Sequence, residues 1–352
     1  MRNTAQCLPD KLMRRFIQLH RGAGILLMLV VATVCHAAES RSDLPAATQA
    51  FVQDMVERHG FARPQLERAF RETKFIGSII RAMDAPSTAL PWHEFRARHV
   101  NDARIAGGLK FWNENADLLE RAATTWQVPA EIIVATIGIE TMYGRRTGNV
   151  NVLDALATLA FGYPRRADFF RGELEQFLLL ARENDWKLNA VKGSFAGAIG
   201  IPQFIPSSYR KYAVDFDGDG HRDLRQVADA IGSVANYYRQ FGWQLGGTVV
   251  VPVDVGNTVL EPLLAAGIAP HTTVADFRRQ GVVPLEPVAG DALATLIVVE
   301  TEVGPRYWLG LNNFYVITRY NRSIKYAMVV QELAWTLRQQ RLQAAGIAPA
   351  VP

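Results

Sequence analysis

Apolar residues recur at helical spacing along most of the chain and give way to β-branched runs in one stretch only. Over 48–75, Phe51, Met55 and Val56 share one helix face, and Leu66, Phe70 and Phe75 follow, with Gly60 and Pro64 as punctuation. A Pro-flanked connector at 84–91 leads to helical patterns at 101–112 and 115–126. Pro129 at a first helical position and Glu131 in the first turn open a helix into the apolar stretch 132–144 (IIVATIGIETMYG). A short apolar helix at 154–161 precedes the longest amphipathic run, 165–185, which Pro164 opens. Phe169, Leu174, Phe177, Leu178 and Ala181 lie on its one face. The glycine-rich segment 193–203 (GSFAGAIGIPQ) requires tight turns or close backbone approach. Another helix is expected at 229–242.

β-branched residues then mark 246–255, 292–302 and 307–318, the last broken by Gly310, and predict strands of a small β unit between about 244 and 317. A final helix is expected at 323–343. The fold class is mainly α (α+β), with no internal repeat and no low-complexity tract. At 352 residues, 49% of them hydrophobic, the chain is long enough for one large or two to three small packed units.

The first 37 residues read as a secretory leader. Lys11, Arg14, Arg15 and Arg21 precede an apolar run at 22–35 and the sequence Cys35-His36-Ala37. The run is short for a membrane span, and an uncleaved signal anchor is the competing reading. Cys35 raises the possibility of lipid attachment, but Val34 stands where a small residue is expected, which favours cleavage after Ala37. Cys7 and Cys35 would both leave with the leader, so the mature chain would carry no disulfide. The leader holds five basic residues and one acid, against 38 and 34 in the whole chain, so the remainder is balanced. Net charge therefore gives no case for nucleic-acid binding.

Two features carry candidate chemistry. Glu140 is the only charged residue in the 132–144 stretch. A carboxylate there is costly to desolvate, so it either finds a partner, such as Arg145 or Arg146 at the helix end, or has its pKa raised. A carboxyl kept protonated near neutral pH is equipped to be a general acid. The second feature is DFDGDGHRD, in which Asp215, Asp217 and Asp219 occupy the first, third and fifth places of an EF-hand-like loop and Gly220 the sixth. His221 at the seventh place offers its carbonyl. Gln226 stands where the twelfth-position Glu belongs, and Asp229 is the candidate to complete the shell. The alternative is a solvated acidic turn, but three crowded acids without a counter-ion repel one another. An all-oxygen set favours structural calcium over a transition metal. No organic cofactor is expected.

The segments 110–115 (KFWNEN), 137–148 (IGIETMYGRRTG), 153–170, 193–224, 229–243 and 319–327 (RYNRSIKYA) resemble, in order and over most of the mature chain, the lytic murein transglycosylase B family. The resemblance implies a leader at 1–37, an N-terminal α-helical region at 38–128, and a lysozyme-like catalytic core with the EF-hand-like loop at 129–243. A small antiparallel β domain at 244–317 and a C-terminal helix at 318–352, returning to the core, complete it. It implies cleavage of the β-1,4 bond between N-acetylmuramic acid and N-acetylglucosamine of peptidoglycan, with a 1,6-anhydromuramoyl product. Glu140 falls on the family's single acid/base. Ser194 matches a polar residue near that carboxyl, and Gln203 a substrate-contacting glutamine. Tyr237, Tyr320, Asn321 and Tyr326 match residues lining the sugar cleft, and Arg165 and Arg166 an Arg pair that meets acidic parts of the substrate. Asp215, Asp217, Asp219, His221 and Asp229 match the calcium loop. Phe95 stands where relatives often have Tyr, which would weaken one sugar contact. The implied partners are peptidoglycan glycan strands and other cell-wall enzymes, with a monomeric enzyme in the periplasm.

Paired carboxylates at set separation would signal an ordinary glycosidase. Asp154 and Glu173 read as surface or polar positions, and that fits a one-carboxyl mechanism. The rival functions are a muramidase-type hydrolase on the same scaffold and a non-catalytic peptidoglycan-binding scaffold.

Overall fold

The structure, a computed structural model, describes residues 43–85 and 87–347. The leader at 1–37 and both cysteines lie outside the described residues.

The helix Ala130–Thr141 forms the axis of the helical body. All of its residues from Ile132 to Ile139 are buried. It packs against Asp102–Glu114, Ala116–Trp126, Val227–Gln240 and Ile324–Ala344. A helix apolar on every side can be accommodated only inside a body of this kind. Its C-terminus is built from two successive left-handed residues, Met142 (φ 52) and Tyr143 (φ 63). Their N–H groups return to the carbonyls of Gly138 (3.1 Å) and Ile137 (3.4 Å). The Tyr143 ring then folds back over Gly138, where a Cβ would lie 2.5 Å from Tyr143 Oη. That hydroxyl donates to the Arg104 carbonyl at 2.8 Å, and Arg104 Nε donates to the Gly138 carbonyl at 3.0 Å.

Most expected helices are present within a residue or two of their predicted ends. The run at 48–75 is two helices, Ala46–His59 and Arg63–Arg71, divided where Gly60 turns left-handed (φ 65). The run that Pro164 opens begins as a 3-10 turn, Pro164–Arg166, and continues as Ala167–Glu183. The short helices Gly77–Asp84, Trp92–His99 and Pro206–Tyr212 have no counterpart in the sequence reading.

The five-stranded sheet is antiparallel throughout, in the spatial order Thr272–Thr273, Leu293–Thr301, Gly304–Gly310, Val250–Asp254, Val283–Pro284. Both faces are covered. Ile297 and Val299 join the main core, while Ala294 and Leu296 join a second small core with Val251, Val253 and Phe277. Covering on both faces explains why the run at 292–299 is apolar at every position but Thr295, whose buried hydroxyl donates to the Gly267 carbonyl (2.6 Å).

One expectation is corrected. The stretch 307–318 is not a strand broken at Gly310: the strand ends there, and Asn312–Tyr320 is a helix. Its buried residues Asn313, Phe314, Val316, Ile317 and Thr318 follow helical spacing. Aromatic and β-branched propensity concealed that period. Asn313 ties this helix to the linker before the sheet, accepting from Gln244 N–H (2.9 Å) and donating to the Gln244 and Gly247 carbonyls (both 2.8 Å).

A second small ladder pairs Val150–Asn151 with Lys192–Gly193. It depends on Gly148 (φ 90), where a Cβ would stand 2.1 Å from the Gly193 carbonyl oxygen. Gly148→Ala should therefore destabilise the protein by about 2–4 kcal/mol, through backbone strain and overpacking together. Urea unfolding checks this; a loss below about 0.5 kcal/mol, typical of a neutral surface change, would show that the contact is not needed.

Candidate active site

Glu140 is the penultimate residue of the Ala130–Thr141 helix and retains some surface exposure while everything behind it is buried. Neither Arg145 nor Arg146 pairs with it. Its Oε1 instead accepts a 2.6 Å hydrogen bond from Tyr326 Oη. Burial of the carboxyl pushes its pKa up to about 7, and the Tyr326 hydrogen bond opposes that shift. Tyr326 sits in the first turn of Ile324–Ala344, whose N-terminus is capped by Ser323 Oγ accepting from Tyr326 N–H.

Aromatic rings wall this carboxyl. Tyr326 stacks on Tyr320 with an interplanar angle of 14° and a centroid separation of 6.3 Å. Tyr320 meets Tyr237 (4.9 Å) and Tyr238 (5.7 Å). Burial first, and the charge of Glu140 among the further causes, hold the hydroxyls of all four tyrosines above their ordinary range, so they act as neutral donors. Tyr320 Oη donates to the Pro202 carbonyl (2.5 Å) and Tyr237 Oη to the Arg319 carbonyl (2.6 Å). Tyr238 is fully buried and meets Thr136 Oγ1 at 2.7 Å.

The glycine-rich loop is fastened to the same helix end. Thr141 Oγ1 donates to the Ile201 carbonyl (2.8 Å) and accepts from Gly144 N–H (3.0 Å). Gln203, left-handed at φ 53, donates its Nε2 to the carbonyls of Thr147 (3.0 Å) and Gly200 (2.8 Å). Ser194 Oγ accepts from Ala196 N–H (3.3 Å) and Ala198 N–H (3.0 Å), which leaves its proton to donate. Glu140, Tyr326, Tyr320 and the Pro202–Gln203 turn thus form one connected set.

The other sequence-derived residues sit differently. Tyr237 is buried behind Tyr320, its hydroxyl already engaged. Asn321 is exposed just past the Asn312–Tyr320 helix. Arg165 is exposed and pairs with Asp84 at 3.4 Å, and Arg166 lies over the Phe169 ring at 4.2 Å. No contact among the described residues joins either arginine to Glu140. Phe95 is buried against the His99 ring rather than exposed to a cleft.

Glu173 also departs from expectation. It is buried, not a surface residue, and it accepts from Ser207 N–H (3.0 Å) and Ser207 Oγ (2.7 Å) at the N-terminus of Pro206–Tyr212. It fixes a helix end. Sequence reasoning also passed over Thr141, Arg104 and Tyr143, which set the position of the Glu140 helix end. The glycine at 138, within an apolar helix, was the available signal.

The acidic loop closes on itself. Asp215 accepts from Gly218 N–H (2.7 Å) and Gly220 N–H (2.9 Å), and Asp229 from Phe216 N–H (2.7 Å) and Asp223 N–H (2.6 Å). One oxygen each from Asp215, Asp217 and Asp229 lies within 4.8 Å of the others. Burial, then the nearby charges of Asp217 and Asp215, raise the Asp229 pKa, and a cation is what would relieve that repulsion. Asp219, which accepts from His221 N–H, and His221 itself lie outside this trio.

The Transglycosylase SLT domain family matches residues 44–335. Membrane-bound lytic murein transglycosylase B of Escherichia coli (strain K12) is 44% identical over 306 residues, covering 84% of this chain and 83% of that protein. The chain belongs to the lytic murein transglycosylase B family. Among solved structures, the catenated lytic transglycosylase SltB1 from Pseudomonas aeruginosa is 45% identical with a TM-score of 0.80, over 85% of this chain and 99% of that one. The Escherichia coli lytic transglycosylase Slt35 in complex with calcium is 43% identical with a TM-score of 0.78, over 85% and 94%. Like its relatives, this family member is mainly α, with a lysozyme-like core and a small antiparallel sheet.

The Glu140 environment has a measurable consequence for stability. The unfolded chain ionises this group near pH 4.5, the folded protein only near pH 7, so the native state loses stability as pH rises through that window. Glu140→Gln, which cannot ionise, should therefore raise the melting temperature at about pH 8 and leave it unchanged at about pH 4. An equal shift at both pH values would mean that the carboxyl is not desolvated.

Proposed function

We propose that the enzyme cleaves the β-1,4 bond between N-acetylmuramic acid and N-acetylglucosamine in peptidoglycan to leave a 1,6-anhydromuramoyl end, with Glu140 as the single acid/base. The observation that carries this reading is the Glu140 carboxyl itself, its pKa pushed by burial up to about 7 at the end of a buried helix, and held by the Tyr326 hydroxyl. Among the described residues the other buried acids are already committed: Glu173 to Ser207, Asp229 to two backbone N–H groups, and Glu67 to Arg63 and Arg71. One carboxyl with two duties fits that distribution.

As an acid, Glu140 gives its proton to the glycosidic oxygen while the bond from that oxygen to C1 breaks. The N-acetyl carbonyl of the same muramoyl sugar stabilises the cationic C1. As a base, the resulting carboxylate takes the proton from the C6 hydroxyl while O6 bonds to C1. No water is consumed. Intramolecular attack carries an effective molarity on the order of 10⁵ M or more, which favours ring closure over hydrolysis. The Tyr326 hydrogen bond stabilises the carboxylate between the two proton transfers. The Ser194 hydroxyl proton serves the N-acetyl oxygen, and Gln203, Tyr320 and Asn321 line the sugar path. Arg165 and Arg166 face acidic groups of the peptide stems. Catalysis belongs to 129–243, completed by Tyr320 and Tyr326 from the 318–352 segment. The substrate and the leader together imply a cell-envelope, periplasmic address.

Asp215, Asp217 and Asp229 would hold calcium, with the His221 carbonyl and Asp219 as further oxygen donors. The ion supplies charge neutralisation and braces the start of the Val227–Gln240 helix; it takes no part in bond cleavage. Removing it with a chelator should lower the melting temperature, and calcium at about 100 times its dissociation constant should restore about 2.7 kcal/mol. A melting temperature indifferent to chelator and calcium would remove the metal from the account.

Mass spectrometry of soluble products from purified peptidoglycan tests the chemistry. The wild type should release anhydromuropeptides, and Glu140→Gln should reduce the rate by about 10² or more. Reducing-end products would mean hydrolysis, and no product from either protein would favour a non-catalytic wall-binding role.

A further inference from the structure

One large groove does not include Glu140 in its lining. It has a volume of about 1090 Å³ and runs between the sheet and the helical body, along the helix pair that carries the catalytic carboxyl. Glu131 and Ile132, in the first turn of Ala130–Thr141, lie in its wall, as do Met328, Gln331, Trp335 and Arg338 on one side of Ile324–Ala344. Nine residues of helix separate Glu131 from Glu140, about 14 Å along the axis. The groove is therefore a separate site on shared supports.

Its lining is unusual for this chain. Four of the seven tryptophans in the sequence line the groove: Trp92 and Trp243 are buried in its floor, whereas half-buried Trp308 and exposed Trp335 can offer a ring face. Trp335 remains 39% exposed, and Val303, at the tip of the hairpin turn, is 85% exposed. Two arginines are held in ion pairs: Arg96 with Glu332, and Arg338 with Glu131 at 3.3 Å. Three arginines and four glutamates line the groove in all, so a polyanion or a polycation gains little there. A neutral, polyhydroxylated ligand gains a great deal. The C–H face of a pyranose ring complements the electron-rich face of an indole. Carboxylate and guanidinium groups present paired acceptors and donors to neighbouring hydroxyl and acetamido groups. The volume, just above the roughly 300–1,000 Å³ of small-molecule sites, suits several sugar units rather than one.

We propose that this groove is a second saccharide site, which holds a length of N-acetylated glycan away from the point of cleavage. The identity of the polymer rests on the function proposed above; the site itself rests on its lining. A polymer held at two points gains effective concentration at the second, so the groove would keep the enzyme on its strand between cuts.

The test uses the full chain carrying Glu140→Gln, which binds without turnover, and a β-1,4-linked N-acetylglucosamine tetramer as the probe. Calorimetry and NMR titration should show two binding events. Adding Trp335→Ala should remove one, leave the other within about two-fold, and weaken co-sedimentation with intact peptidoglycan roughly ten-fold. Trp335→Phe, which keeps a ring, should restore most of the loss. A single event in Glu140→Gln, or two events that both survive Trp335→Ala, overturns the proposal. The product analysis of the wild type is independent of this count, so failure of the cleavage reading and failure of the second site give different results.

Discussion

Removing the Glu140 carboxyl from bulk water is unfavourable, and the surrounding architecture directs that cost onto the ionised form. The helix beneath it is buried from Ile132 to Ile139, so no water approaches from behind. Its place at a helix C-terminus adds the negative end of the helix dipole, which disfavours an anion further. The four tyrosines nearby are neutral and aromatic, and only Tyr326 offers the carboxyl a hydrogen bond. A group with a pKa near 7 can give a proton and take one back with little penalty in either direction.

Holding one carboxyl in that state requires segments far apart in sequence to meet at one helix end. The Gly138 slot admits Tyr143 and ends the helix directly after Thr141. Thr141 then ties the glycine-rich loop to that end, and Tyr320 ties the same loop to the C-terminal helices through Pro202. The acidic loop acts one step further out. Asp229 sits in the first turn of Val227–Gln240 and bonds both ends of the loop, and the same helix presents Tyr237 and Tyr238 to the aromatic wall. One helix thus anchors the acidic loop at its first turn and the aromatic wall near its end.

The Trp-lined groove follows from the same economy of supports. Two antiparallel helices present a carboxyl and its tyrosine at one end and, along another side, the wall of an ion-paired aromatic trough. A polymer-cutting enzyme has use for both surfaces, since its substrate extends beyond the bond being broken.

Local periodicity sufficed for much of this. The spacing of apolar residues placed most helices, the isolated charge in 132–144 singled out Glu140, and the acid alternation in DFDGDGHRD located the candidate metal loop. It failed where residue preference and period disagreed, as at Asn312–Tyr320, whose β-branched residues carry a helical pattern. It also misjudged Glu173, because a carboxyl in an amphipathic helix looks solvated until a distant helix end is brought onto it. Sequence alone could say that Glu140 must be either paired or protonated. Only the tertiary structure decided between them, by setting Tyr326, 186 residues away, against the carboxyl and no cation beside it. Desolvation and hydrogen bonding depend on which surfaces meet in space, and the spacing of residues along a chain does not contain that information.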